Sequence, residues 1–499
     1  MRKAARAAGC VITLILTIGL LFCMTNLTER KTSDNKYHDF FQDRDYDVLF
    51  MGTSHVINSV FPMELWKEYG ITSFNCGGTS NYLPTTYWVL ENALDYVTPK
   101  AVVIDCLHLS SDRKCPLLAR AHYSLDAFPL SLTKIRAVLD LMDDPEENAD
   151  QDAETGANAS QRSQLELLWD FSIYHSRWNE LKEDDFAPAS NQEKGADTRI
   201  NVVRGELKKI DPGASLDPGH TGEVYLRKMI ESCRDRGIQV MLTYFPFPAN
   251  ETEQREAHRA YEIAEEYGIP YVNFLDHDEI IDYRIDLYDS YSHVNASGAR
   301  KLTSWLGGQL VQLFDLPDRR NDPAYSYWEE DYQEYEALKD NHLKGQKNLA
   351  NYLMLLAGDD TDTVIYIQDQ AIFRSQQILL QLKNLGVDPG ELGDSTDFIL
   401  ISRHGREAVV LNSFTEDGKT EKTKFGEASV LRFTGEGPEK GEYLTLSVDG
   451  WGSMKVRMDS NPGMQINVYR NGGLVDSVKF QYTVNPLTDK VDTSEVIRQ

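Results

Sequence analysis

The chain has 499 residues, 41% of them hydrophobic and 10% aromatic, which is enough for more than one globular core and too long for a single ordinary domain. Its 51 Lys and Arg stand against 78 Asp and Glu, and the resulting net charge of −27 repels nucleic acid and anionic lipid surfaces, arguing against either as a general partner. Six cysteines without a C-x-x-C spacing argue against a metal centre or a disulfide scaffold.

In chain order, Ala7 to Met24 is almost wholly apolar and is preceded by Arg2, Lys3 and Arg6. That is close to the ~20 residues a membrane-spanning helix needs. No small-x-small cleavage site follows, so an uncleaved anchor is expected, with a cytoplasmic N-terminus and the main domains outside the membrane. A polar linker leads to Val48-Leu49-Phe50-Met51, an apolar run without helical period that reads as a buried strand and stops at Gly52-Thr53-Ser54. Ser54 there is either a reactive group at a strand's carboxyl end or part of a plain turn whose Ser or Thr caps a helix starting near Pro62.

Ser73 to Cys76 reads as a second strand ending in Gly77-Gly78, followed by a helix over Leu83 to Tyr96 and a strand over Ala101 to Asp105. Residues 143–163 are acidic and nearly devoid of apolar side chains, which predicts a disordered insertion. A helix over Leu165 to Leu181 would carry His175, Arg177 and Trp178, close enough to contact a substrate; a helix with one apolar stripe is the alternative. The rhythm resumes with a helix over Thr221 to Asp235, a strand over Gly237 to Tyr244, a helix over Thr252 to Tyr267 and a strand over Ile269 to Phe274. Such alternation implies a parallel sheet with helices on both faces. Cys106 and Cys115 could pair in an oxidising compartment, although unpaired thiols suit the spacing as well.

The stretch Asp289 to Gly298, before a helix over Ala299 to Phe314, supplies what a lone serine lacks. A serine hydroxyl becomes a nucleophile when a histidine takes its proton, and the histidine needs a carboxylate to fix its tautomer. Asp289 and His293 fit those roles; a turn former and a polar residue near a helix start is the other reading.

Gly52-Thr-Ser54-His55, Asn75-Cys-Gly-Gly78 and Asp289…His293-x-Asn295-x-x-Gly298 together resemble the SGNH (GDSL-like) hydrolase superfamily, in particular its membrane-anchored branch that modifies cell-envelope polymers. The likeness runs from about Asp45 to Leu316. It implies a flavodoxin-like five-stranded parallel sheet, Ser54 as nucleophile, His293 as base and Asp289 as its orienting acid. It also implies an oxyanion hole from the Ser54 N–H, a glycine N–H of Gly77 or Gly78, and a side-chain amide, for which Asn81 is the candidate. Two features depart from the family: Asp289 and His293 are four apart rather than three, and Asp105-Cys106-Leu107-His108 stands where Gly-x-Asn-Asp is usual.

Beyond a connector and a helix near Tyr335 to Leu356, the pattern turns to strand period: Thr363 to Ile367, Phe398 to Ile401, Tyr443 to Val448, Met464 to Tyr469 and Leu474 to Phe480, with one helix over Gln370 to Leu385. Asp369-Gln-Ala371, Leu385-Gly386 and Pro462-Gly463-x-x-Ile466-Asn467-Val468 resemble the interleukin-like EMT inducer (FAM-three-like) domain, which implies carbohydrate binding; a stabilising module without ligand is the alternative. The expected organisation is an anchor over 1–31, a hydrolase-like domain over 32–318, a connector and helix over 319–356, a smaller, mostly β accessory α+β domain over 357–485, and a tail over 486–499. The expected function is a membrane-anchored serine esterase or O-acyltransferase acting on a cell-envelope or extracellular glycan, with a membrane-bound acyl donor as a candidate partner and with neither metal nor cofactor. A non-catalytic glycan-binding envelope protein is the rival.

Overall fold

The structure is a computed structural model, and it describes residues 2–28, 37, 40–43, 45–115, 118–142, 167–168, 174–186, 192–368, 370–392, 398–412, 419–435, 441–448, 452–457, 463–485, 488 and 490–498. The insertion expected over 143–163 lies outside the described residues. The chain forms two units. The first gathers Met1–Asp197, Leu207–Asp278 and Thr303–Tyr332; the second gathers Thr198–Glu206, Glu279–Leu302 and Gln333–Gln499. The expected continuous domain over 32–318 is therefore corrected, because two of its segments pack with the C-terminal part.

The first unit is built on five parallel strands, β1 (Val48–Met51), β2 (Ser73–Asn75), β3 (Ala101–Asp105), β4 (Gln239–Tyr244) and β5 (Tyr271–Asn273), in the order β2-β1-β3-β4-β5. Every residue of β1, β2 and β3 is buried, as expected where helices cover both faces of a parallel sheet. The connections carry the helices Pro62–Tyr69, Leu83–Leu94, Thr221–Asp235 and Glu251–Tyr267. The last is fixed at its start by a capping box, Asn250 Oδ1 accepting from the Glu253 N–H and Glu253 Oε2 from the Asn250 N–H. Because β1 lies between β2 and β3, the winding direction reverses there, and such a reversal opens a crevice beyond the strands' carboxyl ends.

At the N-terminus, Arg2–Thr28 is one helix, and its stretch Ala8–Thr25 has the length and composition to cross a membrane, properties an export signal shares. The hydroxyls of Thr13, Thr17, Thr25 and Thr28 each donate to the carbonyl four residues back, so none needs water. None of the six cysteines forms a disulfide. Of the helix expected over Leu165 to Leu181, the described residues Leu167, Leu168 and Tyr174 are helical and His175–Asn179 follows as a 3-10 turn.

In the second unit β6 (Asp362–Ile367), β7 (Phe398–Arg403), β8 (Glu407–Asn412), β13 (Gly463–Arg470), β14 (Gly473–Val484) and β15 (Val491–Arg498) form an antiparallel sheet in the order β15-β14-β13-β6-β7-β8. A second sheet runs β12 (Gly452–Arg457), β11 (Gly441–Val448), β10 (Gly426–Gly435) and β9 (Lys419–Thr423). Alternate residues of the first, among them Val364, Tyr366, Ile399 and Ile401, share a core with Val430, Leu444, Leu446 and Met454 of the second. The helices Leu349–Leu356 and Gln376–Asn384 pack on each other, and Tyr352 of the former meets Phe480 of β14 edge to face at 5.0 Å. Two expectations need correction. The tail over 486–499 holds β15, paired with β14, and the expected helix over Tyr335 to Leu356 is two helices, Ser326–Gly345 and Leu349–Leu356, the second capped by Asn348.

Candidate active site

The predicted residues fall in both units: Ser54, Gly77, Gly78 and Asn81 in the first, Asp289 and His293 in the second. Around Ser54 the local structure follows from crowding. A Cβ on Gly52 would sit 2.6 Å from Val56 Cγ2 and 2.7 Å from Asp105 Cβ, so only glycine lets β1 turn there. The chain then enters a short helix, Ser54–Ser59, whose N-cap is Thr53, its hydroxyl accepting from the His55 N–H at 3.1 Å. Of the Ser or Thr expected to cap a helix near Pro62, Thr53 caps this earlier helix instead, and the helix Pro62–Tyr69 has no side-chain cap. From Tyr46 to Trp66 every residue is buried except Ser54.

The second block is fastened to the first. The Cys76 N–H donates to the Phe50 carbonyl and the Gly78 N–H to the Gly52 carbonyl. Asn75, fully buried, gives its amide hydrogens to the Val56 and Val60 carbonyls at 2.8 and 2.9 Å and accepts from the Gly77 N–H at 3.1 Å. It ties the end of the Ser54–Ser59 helix to β2, a role the sequence did not reveal. The same bonds correct the expected oxyanion hole, since the N–H groups of Gly77 and Gly78 are both committed within the fold. Asn81 differs. It is 1% exposed, its Oδ1 accepts from the Ser124 hydroxyl at 2.8 Å, and its Nδ2 has no partner among the described residues. A Cβ on Gly78 would lie 2.0 Å from that nitrogen, so the glycine makes room for the amide. A buried, unmatched donor of this kind costs stability unless something accepts from it.

Asp105 closes β3 beside Gly52. One of its oxygens accepts from the Phe245 N–H at 3.4 Å, the other has no partner among the described residues, and burial pushes the carboxyl up to about 7. It can therefore support the turn while carrying less than a full charge at neutral pH. Nearby Glu256, also raised by burial, accepts from the N–H groups of His108 and Ser110 and from the Tyr244 hydroxyl.

In the second unit Asp289 acts as a hub. Its Oδ1 accepts from the backbone N–H groups of Tyr291, Ser292 and His293 at 3.1, 2.6 and 3.1 Å, and its Oδ2 lies 2.6 Å from His293 Nδ1. Burial pushes this carboxyl up, but the imidazole and the three amides outweigh it and hold it below the usual carboxylate range. The four-residue spacing that departs from the family pattern is what lets one carboxylate close the turn and reach the ring. With Nδ1–H held by an ionised carboxylate, the neutral imidazole carries its lone pair on Nε2, where a base needs it. Other His–Asp pairs are less elaborate: Asp112, paired with His220, takes one backbone amide, from Thr221. The hub is anchored by Asn295, whose Nδ2 reaches the carbonyls of Asn201, Ile285 and Leu287 at 3.0, 2.8 and 3.2 Å while its Oδ1 accepts from the Gly298 N–H. Leu287 bridges Val203 and Val294 on either side.

The three residues read as substrate-binding part company. His175 lies in the 3-10 turn. Arg177 donates to the Thr28 carbonyl and to Asp185, while Trp178 is 69% exposed. Among the described residues no group of three or more His, Cys, Asp or Glu side chains is arranged to hold a metal ion. Comparison of the chain with known protein families, with curated proteins and with solved structures gave no match.

Proposed function

We propose that this protein is a membrane-anchored serine esterase or O-acyltransferase of the SGNH type that acts on a cell-envelope or extracellular glycan. The observation that carries the reading is the Asp289–His293 pair, in which three amides and an imidazole hold one carboxylate ionised against the ring nitrogen. The strand order 2-1-3-4-5 is that of flavodoxin-like folds, and Ser54 stands at the carboxyl end of β1, where such sheets bind ligands.

In this reading Ser54 Oγ attacks the acyl carbonyl carbon as His293 Nε2 takes its proton. The tetrahedral oxyanion is met by the Ser54 N–H at the helix start and by Asn81 Nδ2. Collapse expels the alcohol, which leaves with the proton from His293, and the acyl group stays on Ser54 as an ester. Water or a sugar hydroxyl, deprotonated in turn by His293, then attacks that ester and restores the serine. The N-terminal helix holds the domain at the membrane, and the C-terminal sheets serve as a FAM-three-like glycan-binding module.

The committed N–H groups of Gly77 and Gly78 favour a second reading, a glycan-binding protein whose hydrolase domain has lost its chemistry. A fluorophosphonate probe separates the two. Labelling of the wild type at Ser54, and loss on the order of 10³-fold or more in chromogenic acetyl-ester hydrolysis for Ser54→Ala and His293→Ala, supports the enzyme. An unlabelled wild type without esterase activity leaves the binding protein.

A further inference from the structure

The N-terminal helix ends in a junction that neither catalysis nor packing explains. Arg177 Nη1 donates to the carbonyl of Thr28, the helix's last residue, at 2.5 Å, and Nη2 donates to Asp185 Oδ1 at 2.9 Å. The final carbonyls of a helix lack partners within it, and a cation there is favoured by the helix dipole. Asp185 in turn holds its own turn closed, its Oδ2 accepting from the Lys182 N–H at 2.9 Å. One guanidinium thus clips the segments around residues 177 and 185 to the point where the apolar helix ends.

The residues beside the clip are Trp178 and Phe186. They are 69% and 66% exposed, and each follows directly on one partner of the Arg177–Asp185 pair. A single exposed aromatic is ordinary, but here two large ones each adjoin in sequence a residue of the pair fastened to the exit of an apolar helix. Trp favours the membrane–water interface, where its apolar body and its N–H find different surroundings.

We infer that Trp178 and Phe186, clipped by Arg177 to Thr28, form a foot that inserts into the interfacial layer of the bilayer crossed by the helix. The occupant is lipid, because the bond from Arg177 to Thr28 sets both aromatics next to the end of the helix that holds the membrane-length stretch Ala8–Thr25. With a net charge of −27, attraction to anionic headgroups is not the force, so the contact depends on apolar insertion and is indifferent to lipid charge. The foot would hold the first unit against the membrane surface rather than on a free tether, and Trp178 would serve anchoring instead of substrate binding.

The inference rests on the helix being embedded, and the test separates the two ideas. The full chain is reconstituted in phosphatidylcholine nanodiscs whose lipids are brominated near the headgroups, and tryptophan emission is compared between wild type and Trp178→Phe. Trp66 and Trp328 are fully buried and shielded from lipid. The wild type should show lipid-dependent quenching that Trp178→Phe largely loses, equally in neutral and in phosphatidylglycerol-containing discs. Retention in the discs with equal quenching in both proteins overturns the foot and leaves the anchor standing. Failure of the chain to stay in the discs overturns both. A Trp178 signal that responds to soluble envelope glycan and ignores brominated lipid also overturns the foot.

Discussion

Ser54 and the Asp289–His293 pair are secured by different forces. The serine turn is held by shape: Gly52 has no room for a Cβ, the surrounding residues are buried, and the bonds that fasten it run mostly between backbone groups. The histidine loop is held by charge, with a carboxylate gathering four donors while its side chain and that of His293 are each 22% exposed. A steric mount resists pH and salt but yields to one added methyl group; an electrostatic mount accepts changes of bulk and fails when its charge is removed.

The largest expected effect that probes this contrast is that of Asp289→Asn. The amide oxygen keeps the shape and can still accept from the backbone, but the ring loses its ionised partner, so kcat for ester hydrolysis should drop on the order of 10⁴-fold with the fold intact. The pH dependence has a definite sign. A carboxyl held below its ordinary range adds stability that is full above the unfolded value and is lost as the pH falls through the folded one, so urea midpoints of wild type and variant should converge in strong acid. A kcat within tenfold of wild type would mean that another carboxylate orients the ring.

Next comes Asn81→Ala, which removes the unmatched donor. Steady-state kinetics should show a loss of about 10²–10³-fold in kcat with little change in KM, and an unchanged kcat would remove Asn81 from the oxyanion hole. The smallest effect in free energy is expected of Gly52→Ala. Forcing a Cβ against Val56 and Asp105 should cost about 1–3 kcal/mol of stability, read as a lower urea midpoint at every pH tested. A midpoint shift that appeared only at one end of the pH range would show that Asp105, not crowding, dominates that turn.

Much of this architecture was legible in the chain. β1 and β3 are continuous apolar runs, and their bounds and those of the Thr221–Asp235 helix agree with the pattern residue for residue. What escaped was polar or exposed. β9 is Lys-Thr-Glu-Lys-Thr, and β15 is an edge strand with mostly exposed side chains, so neither shows an apolar period. The Ser54–Ser59 helix is too short for periodicity to declare it, whereas the break before Leu349 was there to be read in the polar run Lys344 to Asn348, with Gly345 at the end of one helix and the cap Asn348 at the start of the next. The candidate site divides in the same way. Serine, histidine and aspartate stand out as residue types, whereas the commitment of the Gly78 N–H group, and the stitching by Asn75 and Asn295, depend on hydrogen bonds between separate segments that no local pattern encodes; the Gly77 N–H, by contrast, is taken locally by Asn75 two residues back.

The anchoring of the histidine loop bears on how the chain is made. Arg300 donates to the Leu355 and Ala357 carbonyls, Lys301 to Asp286 and Asn384, and Gln377 to the Val202 carbonyl, so the loop is tied to residues translated well after it. At ribosomal speeds those partners follow on the order of seconds later. A nascent chain made as far as the helix Ala296–Leu313 carries Ser54, Asp289 and His293 and still lacks the ties that set the histidine loop. The C-terminal part therefore acts as a clasp, and a fragment cut near residue 318 would keep Ser54, Asp289 and His293 without it.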